Sequence, residues 1–253
     1  MFNPKTKRIE KLAILFPKVI EELENIFNGD SGIYFDWQNV IHWQEKFDWH
    51  FDLKRIKQFF DSFDTVKFVK IYTGTLEGNE QSEKQIEELK IMGYDVNTKP
   101  VKIMPISIDV SSIPKNSPAL LKSFIRKPLL QKLDLESIEF LNSKLSELNQ
   151  RGILKIDDQK CNFDVEIGRE MSRDFESSSL DNYILWSVDS DFADPIIQIS
   201  SGSKKAIIFA TSGRVSTELD ATDVLIFDIK KIKEFICWPK DLPQNIKDKI
   251  DGR

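Results

Sequence analysis

Cysteine is nearly absent: Cys161 and Cys237 are the only two in 253 residues. A disulfide-stapled scaffold is therefore excluded, and reduced thiols are expected. Histidine is as scarce. His42 and His50 are the whole complement, and no zinc-finger spacing joins them to the cysteines. Any metal would have to be held mostly by carboxylates. Glycine and proline number ten each, too few for collagen-like or low-complexity chains. No apolar run approaches ~18 residues, so no transmembrane helix and no membrane partner are expected. The N-terminus shows no small-residue cleavage site, and Glu21, Glu22 and Glu24 argue against a transit peptide. A cytoplasmic location is the expectation. Excess positive charge is missing too: 36 Lys and Arg against 41 Asp and Glu leave a net charge of −5. Such a chain does not bind phosphate backbones generically, and nucleic-acid contact would need local basic patches.

What is present is an ordinary globular composition, 40% hydrophobic and 30% charged, enough for one large domain or two small ones. Residues 5–27 carry helical spacing, with Pro17 expected to kink or split the helix. Residues 32–35 form a short apolar run ending at Asp36, the pattern of a buried strand. A helix is expected around 52–62, a strand over 66–72, and a helix over 79–92 stopped by Gly93. A third strand fits 94–104, broken near Pro100. Half of the prolines then crowd the stretch from Pro100 to Pro128, and strand–helix alternation stops. One amphipathic helix fits 135–148. Residues 105–159 read as an insertion or lid. Alternation resumes with a helix over 164–176, a strand over 183–186, a helix over 191–200, a strand over 204–210, a short helix over 215–221 and a strand over 224–229. This order predicts an α/β fold with a parallel sheet covered on both faces. The expected organisation is an N-terminal helical extension over 1–31, a main domain over 32–230 with its insertion, and a tail over 231–253.

Parallel sheets bind ligands outside the carboxyl ends of their strands. Asp36 stands at one such end, and Asp189 and Asp191 stand at another. Asp164 opens the helix before the second of these strands, and Asp223 precedes the last strand. Each acid alone has a plain structural role open to it, such as capping a helix; one of Asp189 and Asp191 is expected to cap the next helix while the other faces a metal. Several carboxylates in one crevice repel each other unless a cation neutralises them. The hard cations suited to oxygen ligands are Mg²⁺ and Mn²⁺.

The residues that carry these acids also resemble a known family. The phrase Ile33-Tyr-Phe-Asp36-Trp-Gln-Asn39 resembles the opening strand of NYN domains, the LabA-like branch of the PIN-like nucleases. Leu185-Trp-Ser187-Val-Asp189-Ser-Asp191-Phe192 is similar to that family's S-G-D-S-D-F motif. Asp164-Val-Glu-Ile-Gly-Arg-Glu170-Met resembles its acidic helix, the stretch from Lys70 to Val101 its second strand, helix and third strand, and Ser216-x-x-Leu219-x-x-x-Asp223 its closing motif. The likeness spans 32–104 and 160–230. It implies a PIN-like three-layer α/β/α sandwich and metal-dependent hydrolysis of RNA, with attack on phosphorus leaving a 5′-phosphate. It also implies that Asp36, Asp164, Asp189 and Asp191 are the metal-site acids, that Asn39 orients ligands or substrate, and that Ser187 supplies a supporting hydroxyl. Val188 departs from the family's Gly, Glu170 from an Asp, and Thr222 from a common Ala. Glu170 lies six residues after Asp164, off its face in a regular helix.

Phosphates need cations near such acids. Arg126 and Lys127, with Lys122 and Lys132, form a cluster with no acid between them, and Arg169 lies on the acidic helix. Each is also at home on a solvated helix face. Trp37 beside Asp36 could stack on a base, though core packing is the commoner fate. Other classes compete with the nuclease reading. Asp189-Ser190-Asp191 resembles the D-x-D motif of haloacid-dehalogenase-like phosphatases, yet it lies late in the chain and precedes Phe192 where a small residue is expected. A PIN-like module that holds RNA or protein without cutting is favoured by Val188 and Glu170. The apolar stripe of the N-terminal helix offers a face for a homodimer, although such stripes more often enter the core.

Overall fold

The computed structural model describes residues 1–107, 113–151, 155–177, 179–211 and 215–251. The chain divides into two compact units, one of residues 1–101 with 161–253 and the other of residues 102–160.

The larger unit opens with helices α1 (Lys7–Leu15) and α2 (Pro17–Ile26). Thr6 caps the first, and Pro17 opens the second at a position where its missing N–H costs nothing. Strand β1 (Ser31–Asp36) leads into the short helices α3 (Trp37–Val40) and α4 (Gln44–Phe47) and then α5 (Leu53–Phe60). Strand β2 (Val66–Thr75), helix α6 (Glu80–Ile91) and strand β3 (Asp95–Pro100) follow. Gly93 ends α6 with φ 88°, a conformation that favours glycine.

The smaller unit holds strand β4 (Lys102–Ser107), helices α7 (Lys127–Leu130) and α8 (Leu135–Gln150), and strand β5 (Lys155–Lys160). Strands β4 and β5 pair antiparallel in a two-stranded sheet. The expected strand over 94–104 is thus two strands in two sheets, parted at Val101. Strand β5 has no apolar pattern to announce it, because its sequence, Lys-Ile-Asp-Asp-Gln-Lys, is almost wholly polar.

The larger unit resumes with α9 (Asp164–Glu176), β6 (Asn182–Trp186), α10 (Ala193–Ser201), β7 (Lys205–Ala210), α11 (Thr217–Asp220) and β8 (Leu225–Asp228). Helices α12 (Lys233–Ile236) and α13 (Gln244–Asp251) close it. Six parallel strands form one sheet in the order β3-β2-β1-β6-β7-β8. Every residue of the two central strands, β1 and β6, is buried, as expected of strands covered on both faces. The edge strand β3 reads Asp-Val-Asn-Thr-Lys-Pro, polar enough to discourage pairing with another chain.

The pleat sends alternate residues to opposite faces. On one face Phe35 stacks on Trp186 at 4.3 Å, and Trp186 meets Phe60 of α5 and Phe209 of β7. Trp37 is buried against Phe35 and Phe51, so it packs the core. Ile9, Leu12 and Leu23 from the N-terminal helices and Phe235, Ile236 and Cys237 near the C-terminus belong to the same core. Cys161 and Cys237 are both free thiols.

On the other face the sheet meets α9 through a polar network. Tyr34 donates to Asp174 at 2.6 Å and Tyr72 donates to Glu170 at 2.8 Å. The Lys70 ammonium reaches Asp174 at 2.8 Å and Glu170 at 3.3 Å. All of these groups are largely buried, and an ion pair out of water holds only while every member is satisfied. Removing the cation would leave two largely buried carboxylates with only the tyrosine hydroxyls to answer their charge. Lys70→Met should therefore lower stability by ~2–4 kcal/mol in urea denaturation, and adding Asp174→Leu should recover part of the loss. A Lys70→Met protein as stable as wild type would contradict this account of how α9 is held.

Candidate active site

In the larger unit the strand order reverses direction between β1 and β6. Chain progress runs β1-β2-β3 to one side and β6-β7-β8 to the other. The loops leaving β1 and β6 therefore diverge, and the crevice between them at the carboxyl ends is where open α/β sheets bind ligands. Doubly wound sheets of this strand order often bind dinucleotides there, using glycines after the first strand to cradle the pyrophosphate. Here that turn reads Asp36-Trp37-Gln38-Asn39. It has no glycine and puts a carboxylate where a phosphate would sit.

Asp36 is 4% exposed. Its Oδ1 accepts the Asn39 N–H at 3.2 Å, capping α3, and its Oδ2 accepts the Ser187 hydroxyl at 3.0 Å. Burial pushes its carboxyl up to about 7. The bonds from Ser187 and Asn39 oppose the rise, and the charges of Asp164 and Asp189 add to it. The fully buried Ser187 links the two strand ends, because its Oγ also receives the Asp189 N–H at 3.4 Å. Asp189 is half-buried and caps the 3-10 turn of Ser190–Phe192 by accepting the Asp191 N–H. Neither acid caps α10 as expected: that helix starts after Phe192 with no side-chain cap, and Asp189 caps only the 3-10 turn before it. Asp191 is exposed and lies against Asp164.

Asp164 begins α9, and its N–H donates to Asn162 Oδ1 at 2.8 Å. Burial lifts its carboxyl to about 6; the bond from Asn162 opposes, while Asp189 and Asp191 raise it further. Asp164, Asp191, Asp194 and Glu218 line a crevice of about 580 Å³ together with Ser190. Sequence reasoning missed Asp194, Glu218 and Asn162. Glu218 lies inside the Ser216–Asp223 motif, and Asp194 sits in the first turn of α10, a place so often acidic for helix reasons that it gives no signal of its own.

The remaining candidates are not among the described residues that line this crevice. Glu170 is engaged by Lys70 and Tyr72. Asp223 is an exposed turn residue with φ 54° and is not among the described residues lining the crevice. Asn39 accepts the Trp43 indole N–H at 3.1 Å through Oδ1, and its amide nitrogen has no partner among the described residues. Arg169 is exposed on α9, while Lys99 takes the neighbouring Glu166 at 2.7 Å. Arg126 and Lys127 are exposed in the smaller unit.

The donor set is all oxygen and anionic, the chemistry that suits Mg²⁺ or Mn²⁺. The spacing is open: among the described residues no group of three or more His, Cys, Asp or Glu side chains is placed to hold one metal ion. The four acids feel each other's charge without converging on a point. Among the described residues, no helix is long and apolar enough to cross a membrane.

No protein-family model matches the sequence, and no curated protein matches it. A crystal structure of a protein of unknown function from Vibrio parahaemolyticus aligns with a TM-score of 0.48 at 18% identity. The alignment covers 81% of this chain and 94% of that one. A likeness at that level says nothing of chemistry.

The raised carboxyl of Asp36 has a measurable consequence. An ordinary aspartate titrates near 3.8, so between about pH 4 and 7 the folded protein holds a proton that the unfolded chain has released. Stability must then fall as pH rises through that window, and the full penalty is present above 7. Asparagine can keep the cap without the charge. In EDTA, Asp36→Asn should raise stability at pH 8 by on the order of 2 kcal/mol and leave it unchanged near pH 4. Melting curves across this range check it; a gain independent of pH would show that charge burial is not the cause.

Proposed function

We propose that this protein is a divalent-metal-dependent phosphodiesterase acting on RNA, of the NYN and PIN-like kind that its strand-end motifs resemble. The observation that carries the reading is the buried Asp36 at the reversal of strand order, electrostatically coupled to Asp164 and Asp189. A carboxylate lifted this far by desolvation gains most from a cation. Asp36, Asp164, Asp189 and Asp191 would hold Mg²⁺ or Mn²⁺, which when bound lowers the pKa of water and stabilises charge on phosphorus oxygens.

The chain's own residues then have defined tasks. Ser187 fixes the Asp36 carboxylate and the Asp189 backbone relative to each other, so the ends of β1 and β6 move as one. Asn39 presents an amide N–H₂ suited to a phosphate oxygen. Asp194 and Glu218 keep the crevice anionic, so backbone phosphates would be screened by a cation before they enter. A second reading is a module that holds RNA without cutting it. The open spacing of the carboxylates favours it.

Two measurements decide between these. Saturating Mg²⁺ or Mn²⁺ should raise the melting temperature by roughly 2–10 °C in wild type, because only the folded state binds the ion. Asp189→Asn should shrink that rise and slow cleavage of single-stranded RNA by at least about a hundredfold. Equal shifts in both proteins would place the cation elsewhere. A normal shift with no cleavage would select the non-cutting module.

A further inference from the structure

The smaller unit contains a pocket that the carboxylate chemistry does not use. It encloses about 610 Å³, within the range of ligand sites, about 300–1,000 Å³. Five aliphatic side chains form its walls: Pro118, Ile125, Leu130, Leu133 and Ile138. The polar lining is brief: Lys122, Lys127 and the amide of Gln131. One wall is fixed in place. Buried Asn142 of α8 donates from Nδ2 to the carbonyls of Lys115 and Ser117, at 2.7 and 2.8 Å, tying the loop before Pro118 to the helix.

Charge along the segment that supplies Pro118 to Gln131 is of one sign, while Asp134, Glu136 and Glu139 accompany Leu133 and Ile138 on the other wall. Lys115, Lys122, Arg126, Lys127 and Lys132 fall in a stretch with no acidic residue, in a chain of net charge −5. All five are exposed, and none has an ion-pair partner among the described residues. Phe124, 44% exposed, stands in the same stretch.

We propose that this pocket binds an unstacked nucleotide of a single-stranded nucleic acid. The base would lie between the aliphatic walls, its edge read by Gln131, and its phosphate would be held by Lys122 and Lys127. Three features select this occupant over a fatty anion. An acyl chain has no use for the Gln131 amide, whereas a base edge offers the paired donor and acceptor that Gln recognises. A single head group needs one or two cations, whereas a polyanion uses the run from Lys115 to Lys132. Single strands are recognised through splayed bases in apolar pockets beside a cationic track. The proposal concerns binding alone and would hold if the carboxylate site cut nothing.

The test is anisotropy of a labelled octa-adenylate with the full chain in EDTA, which keeps the outcome separate from hydrolysis. Wild type should bind, and laurate should not compete. Lys122→Gln with Lys127→Gln should weaken binding about tenfold and lower the salt slope by about 0.7, the share of the one phosphate that is no longer neutralised. Gln131→Leu should weaken binding while leaving the salt slope intact. All three residues are exposed, and circular dichroism confirms that the variants fold. No binding by wild type, unchanged binding by either variant, or displacement by laurate would each overturn the proposal.

Discussion

A carboxylate buried where the sheet changes direction is the constraint on which the candidate site depends. Asp36 ends a strand that is buried along its whole length, so its side chain leaves the sheet where little water reaches it. The Ser187 hydroxyl and the Asn39 N–H recover part of the lost solvation, but burial still dominates. The result is a carboxyl near the point of protonation at neutral pH, within reach of the fields of Asp164 and Asp189. Desolvation and like charge push in one direction here, and on the proposed reading a divalent cation would answer both.

The polar network beneath α9 sets where that partner would be met. Asp164 is the first residue of the helix, and Glu170 and Asp174 further along it are pinned by Lys70, Tyr72 and Tyr34. The helix therefore cannot slide along the sheet without unpairing buried charges, and Asp164 keeps its position over the crevice. Glu170 belongs to this clamp. The network also explains a buried lysine in the middle of a strand: its charge is committed to the helix above.

Much of the fold was legible in the sequence, for reasons that are local. Strands β1 and β6 are continuous apolar runs because both of their faces are covered, and Pro17 and Gly93 mark helix boundaries through their own backbone chemistry. The acids at the ends of these strands were legible for the same reason, since finding the strand finds its end. What stayed hidden depends on pairing across distance. The charged strand β5 forms only because β4 lies beside it, and the separation of β4 from β3 turns on a change of sheet at Val101. The partnership of Lys70 with Glu170 and Asp174 spans about a hundred residues and has no local signature. Asp194 and Glu218 look like ordinary acids in first helical turns until the topology brings them to one crevice.

The claim at the centre of this account is that the acids at the ends of β1 and β6 and at the start of α9 form one divalent-cation site. Anomalous diffraction from crystals soaked in Mn²⁺ tests it without any assumption about substrate. The account predicts a peak at coordination distance from carboxylate oxygens of both Asp36 and Asp189, with Asp164 or Asp191 turned toward it. A Mn²⁺-saturated crystal with no peak at the end of β1, or with peaks only on surface acids elsewhere, would contradict it.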